Sequence, residues 1–143
     1  MNNKFEVSTF ILRVVLGISF FIHGLTKFQG GIENIVGWFD SIGLPGGLAY
    51  VVAVIELVGG LALVIGLGSR VVSILLSLVM IGAMIKVKLA VGFLGNGQMA
   101  GYELDLAFLA MAVVIAVNDS KLFALDQVIF NKHSNNSGNN KAA

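Results

Sequence analysis

Most of this chain lies in a few long apolar runs, and those runs decide what it can become. Four approach or exceed the length needed to cross a bilayer: about Ser8–Phe28, Leu48–Leu67, Val71–Phe93 and Gly101–Asn118, the last near the lower limit. Hydrocarbon offers a backbone N–H or C=O no partner, so a lone segment inside it must bond to itself as a helix. The expected fold is therefore all-α: an integral membrane antiparallel four-helix bundle, up-down-up-down, with short connections except the first. Composition agrees, at 57% hydrophobic and 12% charged with a mean hydropathy of +0.91. At 143 residues the length suits one domain.

The punctuation between runs is glycine-rich. Gly30-Gly31 ends the first run. The long connection after it carries Glu33, Trp38, Phe39 and Asp40, and its two aromatics suit an amphipathic turn lying in the membrane interface. Leu44-Pro45-Gly46-Gly47 opens the second run, Gly66-Leu67-Gly68-Ser69-Arg70 turns into the third, and Gly95-Asn96-Gly97 turns into the fourth. Residues 1–128 read as the membrane domain. Residues 129–143, rich in Asn, Ser, Gly and Lys, read as a disordered polar tail. The first run carries Arg13 and His23 and is followed by no small-residue cleavage pattern, so it reads as an uncleaved span. Lys4, Arg13, Arg70, Lys121, Lys132 and Lys141 collect on one side, whereas no lysine or arginine lies between Leu94 and Gly101. This asymmetry predicts both termini in the cytoplasm.

Several activities are excluded. A net charge of +1 and the lack of any basic patch leave no nucleic-acid partner; the bilayer is the expected one. With no cysteine, the chain has no disulfide, no thiolate ligand and no thiol route for electrons. His23 stands alone within the runs, and His133 lies in the tail, so neither a bis-histidine haem nor a zinc or iron site is indicated.

Against this apolar background five ionisable residues stand out: His23, Lys27, Glu56, Lys88 and Glu103. Such groups are expensive at membrane depth unless they find a partner or a wet cavity. At about 1.5 Å per residue, Glu56 lies about 12 Å below its helix end. His23 and Lys27 close helix one, Lys88 lies late in helix three, and Glu103 opens helix four, so all share the outer half of the bilayer. His23 and Lys27 are four apart and share a face. Glu56 is expected to pair with Lys27 or Lys88, with Glu103 completing a second pair. Two readings stay open: structural ion pairs that fix which helices meet, or a polar pocket that binds a ligand or moves protons. Lys86 and Lys88 point to opposite faces, as do Glu103 and Asp105; Lys88 and Glu103 are the expected inward members. Arg13 and Arg70 read as interfacial anchors. Gly17, Gly24, Gly59, Gly60 and Gly82 read as sites of close helix approach.

Histidine, lysine and glutamate exchange protons and hydrogen-bond carbonyl oxygens, as a quinone or phenol ring requires. The chain resembles the DoxX family of small bacterial membrane proteins over roughly Phe5 to Gln127. The resemblance rests on Leu12-Arg13, Leu16-Gly17, His23-Gly24 and Lys27-Phe28, on Gly43-Leu44-Pro45, and on Glu56, Gly59-Gly60, Leu63, Gly66 and Arg70. It continues in Met80, Ala83, Lys88, Gly92-Phe93, Gly101-Tyr102-Glu103 and Leu125-Asp126. It implies a four-helix protein of the bacterial plasma membrane that acts as an oxidoreductase or as the membrane subunit of one, linked to quinone, catechol and oxidative-stress chemistry. Many members are expected to carry histidine where this chain has Lys88, which removes a group that titrates near neutral pH. In this reading His23 and Glu56 exchange protons, while Lys27, Lys88 and Glu103 bind substrate. The cofactor is unspecified beyond a quinone, electrons come from a soluble redox partner or a bound cofactor, and a homo-oligomer stays open. The rivals are a small-molecule or proton transporter, which broken helices and inverted repeats would favour, and a non-catalytic membrane anchor for a soluble oxidoreductase.

Overall fold

The computed structural model describes residues 3–118 and 121–129. The tail expected over 129–143 lies outside them except for its first residue. All regular structure among the described residues is helical: α1 (Asn3–Gln29), α2 (Ile32–Ser41), α3 (Gly47–Ile65), α4 (Ser69–Ala83) with a π-helical turn at Met84–Lys88, and α5 (Glu103–Asn118). Three stretches, Lys4–Gln29, Gly47–Ile65 and Ser69–Lys88, are long and apolar enough to cross a membrane. The fourth expected span is shorter. The 16 residues of α5 reach only about 24 Å at 1.5 Å per residue, against a hydrocarbon core of about 30 Å.

The third run also departs from expectation. It was expected to continue helical to Phe93, but its α-helix ends at Ala83, and the π turn closes with Leu89 N–H donating to Met84 C=O at 2.9 Å. The chain then leaves the axis because Gly92, at φ 96°, takes a left-handed conformation. This frees Gly92 and Phe93 carbonyls to accept the N–H groups of Tyr102 and Glu103 at 3.3 and 3.2 Å, which docks the start of α5. The first connection holds more structure than the turn expected there. It forms the ten-residue α2, whose Asp40 carboxylate accepts the Gly46 N–H at 2.8 Å and fixes the entry to α3.

One buried cluster unites four helices: Leu16 and Phe20 of α1, Leu63 of α3, Leu76 and Met80 of α4, and Ala112 and Ile115 of α5. The closest packing is between α1 and α3. A Cβ on Gly24 would meet Leu57 N at 2.4 Å, one on Gly60 would meet Phe21 N at 2.4 Å, and one on Gly17 would meet Gly60 O at 2.7 Å. These three glycines let the two backbones touch, and van der Waals contact at such crossings drives helix association in lipid. Gly82 does the opposite of what was expected, since nothing lies within 4 Å of its Cβ position. α3 runs unbroken through Gly59-Gly60.

The molecule has two distinct ends. At the turn end, α3 passes into α4 through Gly66–Gly68, and residues 121–129 fold back across it. Asp126 N–H donates to Gly66 C=O at 3.3 Å, and Gly68 N–H donates to the Asp126 carboxylate at 2.9 Å. The loop end carries α2, the π turn and the 89–102 loop.

Candidate functional site

The α1–α3 crossing sets the site. Lys27 lies one turn past Gly24 and Glu56 one turn before Gly60, so the contact that brings the backbones together also brings these two side chains together. Lys27 Nζ donates to Glu56 Oε2 and forms an ion pair with it. Glu56 is buried at 4% exposure, so its charge depends on that lysine. Removing either partner would leave the other charge without compensation, which costs several kcal/mol. Of the two pairings expected for Glu56, the structure selects Lys27.

The pair forms part of the wall of a cavity of about 770 Å³ at the loop end. That volume lies within the range of small-molecule sites, about 300–1,000 Å³. The wall is mostly apolar and comes from five elements: Phe20 of α1, Trp38 and Phe39 of α2, Val52 and Ile55 of α3, Val79 and Met80 of α4, and Phe108 of α5. His23, Lys27, Glu56, Lys86, Lys88 and Asp105 supply its polar groups. α2 thus bounds the cavity beside Leu44 and Leu48, and its position is further tied by Tyr50 Oη, which donates to the Glu33 carboxylate. The His23 ring meets Phe108 edge-on at 6.1 Å and has no hydrogen bond among the described residues.

Lys88 lines the cavity as expected. Its Nζ donates to Ala100 C=O at 3.0 Å and lies 3.9 Å from the Asp105 carboxylate. Lys86 is exposed but also reaches the cavity. Glu103 does not. It is exposed in the first turn of α5, and Asp105 takes the inward place expected for it. The reason is rotational. Asp105, Phe108, Ala112 and Ile115 recur at helical spacing on the face that α5 turns to the cavity and core, and Glu103 falls outside that stripe.

Arg13 also differs from expectation. It is not an interfacial anchor: it is fully buried, with its guanidinium 5.4 Å from the Phe10 ring centroid. Its Nη2 donates to Leu122 C=O at 2.9 Å and Phe123 C=O at 3.2 Å. Sequence reasoning missed this role because the partners lie more than a hundred positions away. Arg70 remains exposed and donates through Nε to Ala116 C=O at 2.9 Å and through Nη2 to Val117 C=O at 3.3 Å, completing the C-terminal turn of α5.

Regular structure that is all helical among the described residues, with three apolar helices there of membrane-crossing length, marks a membrane protein, and a charged pair lies on the wall of its otherwise apolar cavity. The chain belongs to the DoxX family, whose model matches residues 8–89 and so takes in His23, Lys27, Glu56 and Lys88. It is 45% identical over 135 residues to "Putative oxidoreductase CatD" of Bacillus subtilis (strain 168), a match covering 94% of this chain and 96% of that protein. It is 29% identical over 140 residues to an "Uncharacterized protein" of Haemophilus influenzae, covering 92% of this chain and all of that one. No solved structure matches it.

Proposed function

We propose that the cavity binds a quinone- or catechol-like ring, and that the protein is a membrane oxidoreductase or the membrane subunit of one, serving quinone or oxidative-stress handling. The observation that carries this reading is the Lys27–Glu56 pair on the wall of an apolar cavity. Apolar walls favour the faces of a ring, and the charged pair suits its oxygens. Reduction of a quinone to a quinol adds two electrons and two protons. His23 and Glu56 relay those two protons from water, each taking one up before passing it to a ring oxygen. Lys27 and Lys88 donate to an oxygen as negative charge develops on it. The electrons come from a soluble reduced partner protein, since a chain without cysteine has no thiols to carry them. The oxidoreductase name of the Bacillus subtilis relative supports a redox role.

In this reading the protein is a four-span bundle of the bacterial plasma membrane with both termini cytoplasmic, and the cavity faces the outer leaflet. An even number of crossings is supported by Glu6, whose carboxylate accepts Lys121 N–H at 2.9 Å and Leu122 N–H at 3.3 Å. The chain thus returns to its starting end after α5. The clustering of Lys4, Arg70 and Lys121 at that end supports its cytoplasmic placement.

The only tryptophan, Trp38, lines the cavity and provides the test. A short-chain quinone added to purified protein in nanodiscs should quench its fluorescence saturably. The Glu56→Gln variant should weaken that binding roughly tenfold, as expected when a charged hydrogen-bonding group is lost. Unchanged affinity in Glu56→Gln, or no saturable quenching in the native protein, rejects the site.

A further inference from the structure

The cavity is not closed on all sides. α3 and α4 start close together at the turn end, where Gly59 meets Val72, its Cβ position lying 3.1 Å from Val72 Cγ1. Beyond that point they part. The cavity takes up residues of the α3 half before Gly59, including Val51, and of the α4 half after Val72, including Leu78 and Gly82. Val51 and Leu78 line the cavity and are also 51% and 60% exposed, and Gly82 has nothing within 4 Å of its Cβ position. Both helices are long and apolar enough to cross a membrane, so the flank where they part would face lipid.

We propose that this gap is a lateral portal, and that the ligand is an amphiphile drawn from the bilayer: a polar ring carrying a hydrocarbon tail. The ring lies against Lys27 and Glu56, and the tail leaves between α3 and α4 past Val51, Leu78 and Gly82. The inference rests on the ring-binding reading above and adds the class of ring. Three features argue for a tailed molecule. The polar side chains of the wall are few against a mostly apolar lining, and the nearest to the gap, Lys86, lies one turn beyond Gly82 towards the loop end. The gap itself is lined only by aliphatic side chains and a glycine. The volume of about 770 Å³ accommodates a ring and several carbons of a chain. A small water-soluble ring would need no hydrocarbon route. It would enter at the loop end, between α2 and the 89–102 loop, where Lys88 and Asp105 lie.

The test compares a tail-less benzoquinone with the same ring bearing a ten-carbon chain, by Trp38 quenching in nanodiscs. The native protein is measured beside Gly82→Leu, whose new side chain enters open space on an unstrained helical backbone and fills the gap. The readout is the ratio of the two affinities within each protein. Partition of the tailed quinone into lipid is common to both proteins and cancels between them. The ratio should fall roughly tenfold in Gly82→Leu, the scale of a steric intrusion into a packed site. Val51→Phe, at the other edge, should lower it in the same direction and serves if Gly82→Leu fails to fold. A photoreactive group at the tail end should label segments 48–55 and 75–82. An unchanged ratio in both variants, or labelling confined to 36–44 and 96–104, overturns the portal while leaving the ring site standing. If neither quinone quenches Trp38 in the native protein, the ring site and the portal fall together.

Discussion

Both ends of this molecule bury charge, but they do different things with it. At the turn end Arg13 is sealed in, its guanidinium donating to the carbonyls of Leu122 and Phe123 beside the Phe10 ring. Residues 121–129 close over it, and a Cβ added at Gly66 would meet Ala124 Cα at 2.6 Å. At the loop end the Lys27–Glu56 pair satisfies itself just as well, yet the helices around it part to leave a cavity. Burial of an ionisable group is therefore a poor guide to activity in a chain of this kind. What separates a fastener from a site is whether the group faces packed protein or space that a second molecule can enter.

The sharpest way to break this contrast is to remove Arg13. Arg13→Leu keeps much of the volume but takes the guanidinium donor from the part-buried bonds to the carbonyls of Leu122 and Phe123. Each lost partner costs about 1–3 kcal/mol. Phe123 also stands at φ 48°, a left-handed conformation costly for a residue with a side chain, so its contacts hold stored strain. We expect a loss of about 3 kcal/mol, read as a lower thermal midpoint in nanodiscs and faster proteolysis within 121–129. Quenching of Trp38 by the short-chain quinone should be unchanged in the fraction that stays folded. If Arg13→Leu loses binding while keeping native stability, the turn end belongs to the site and the contrast is wrong.

The complementary experiment swaps the ion pair for hydrocarbon. In Lys27→Met/Glu56→Leu both charges vanish together, so no unpaired charge is left and the α1–α3 crossing keeps its glycines. Replacing a buried pair by packed apolar groups is often close to neutral, and stability should stay within about 1 kcal/mol of native. Ring binding should weaken roughly tenfold or more, because the oxygens lose their charged partners. A double variant that folds and still binds the ring at native affinity makes the pair a fastener like Arg13.

How much of this was legible in the sequence follows from the range of the forces involved. The apolar runs located α1, α3, α4 and α5 because hydrocarbon leaves the backbone a single local solution. The close approach at Gly17, Gly24 and Gly60 was also legible, since a missing side chain acts at the residue that lacks it. The role of Arg13 was not legible, because its partners arrive only after the whole chain has folded back. The choice of Asp105 over Glu103 lay between these cases. The stripe Asp105, Phe108, Ala112 and Ile115 is written in the sequence, but only the packed core shows which stripe of α5 turns inward. The early end of α4 escaped notice because its apolar run continues to Phe93, while the glycine at 92 redirects the backbone.

The smallest expected effect concerns Lys88, whose position is intermediate between the two ends. Its side chain is 22% exposed, its contact with Asp105 is long at 3.9 Å, and its better partner is the Ala100 carbonyl at 3.0 Å. A partly solvated pair of this kind contributes about 0–1 kcal/mol. Lys88→Met should therefore shift the thermal midpoint little. If Lys88 assists the ring through its charge, Lys88→Met should weaken ring binding about threefold, and Lys88→Arg should restore most of it by keeping a cationic donor. If Lys88 only ties the π turn to Ala100, both variants should bind the ring equally well and differ in the order of the 89–102 loop, read by hydrogen exchange. The two variants together decide whether the site stops at the Lys27–Glu56 pair or extends along the cavity to the start of α5.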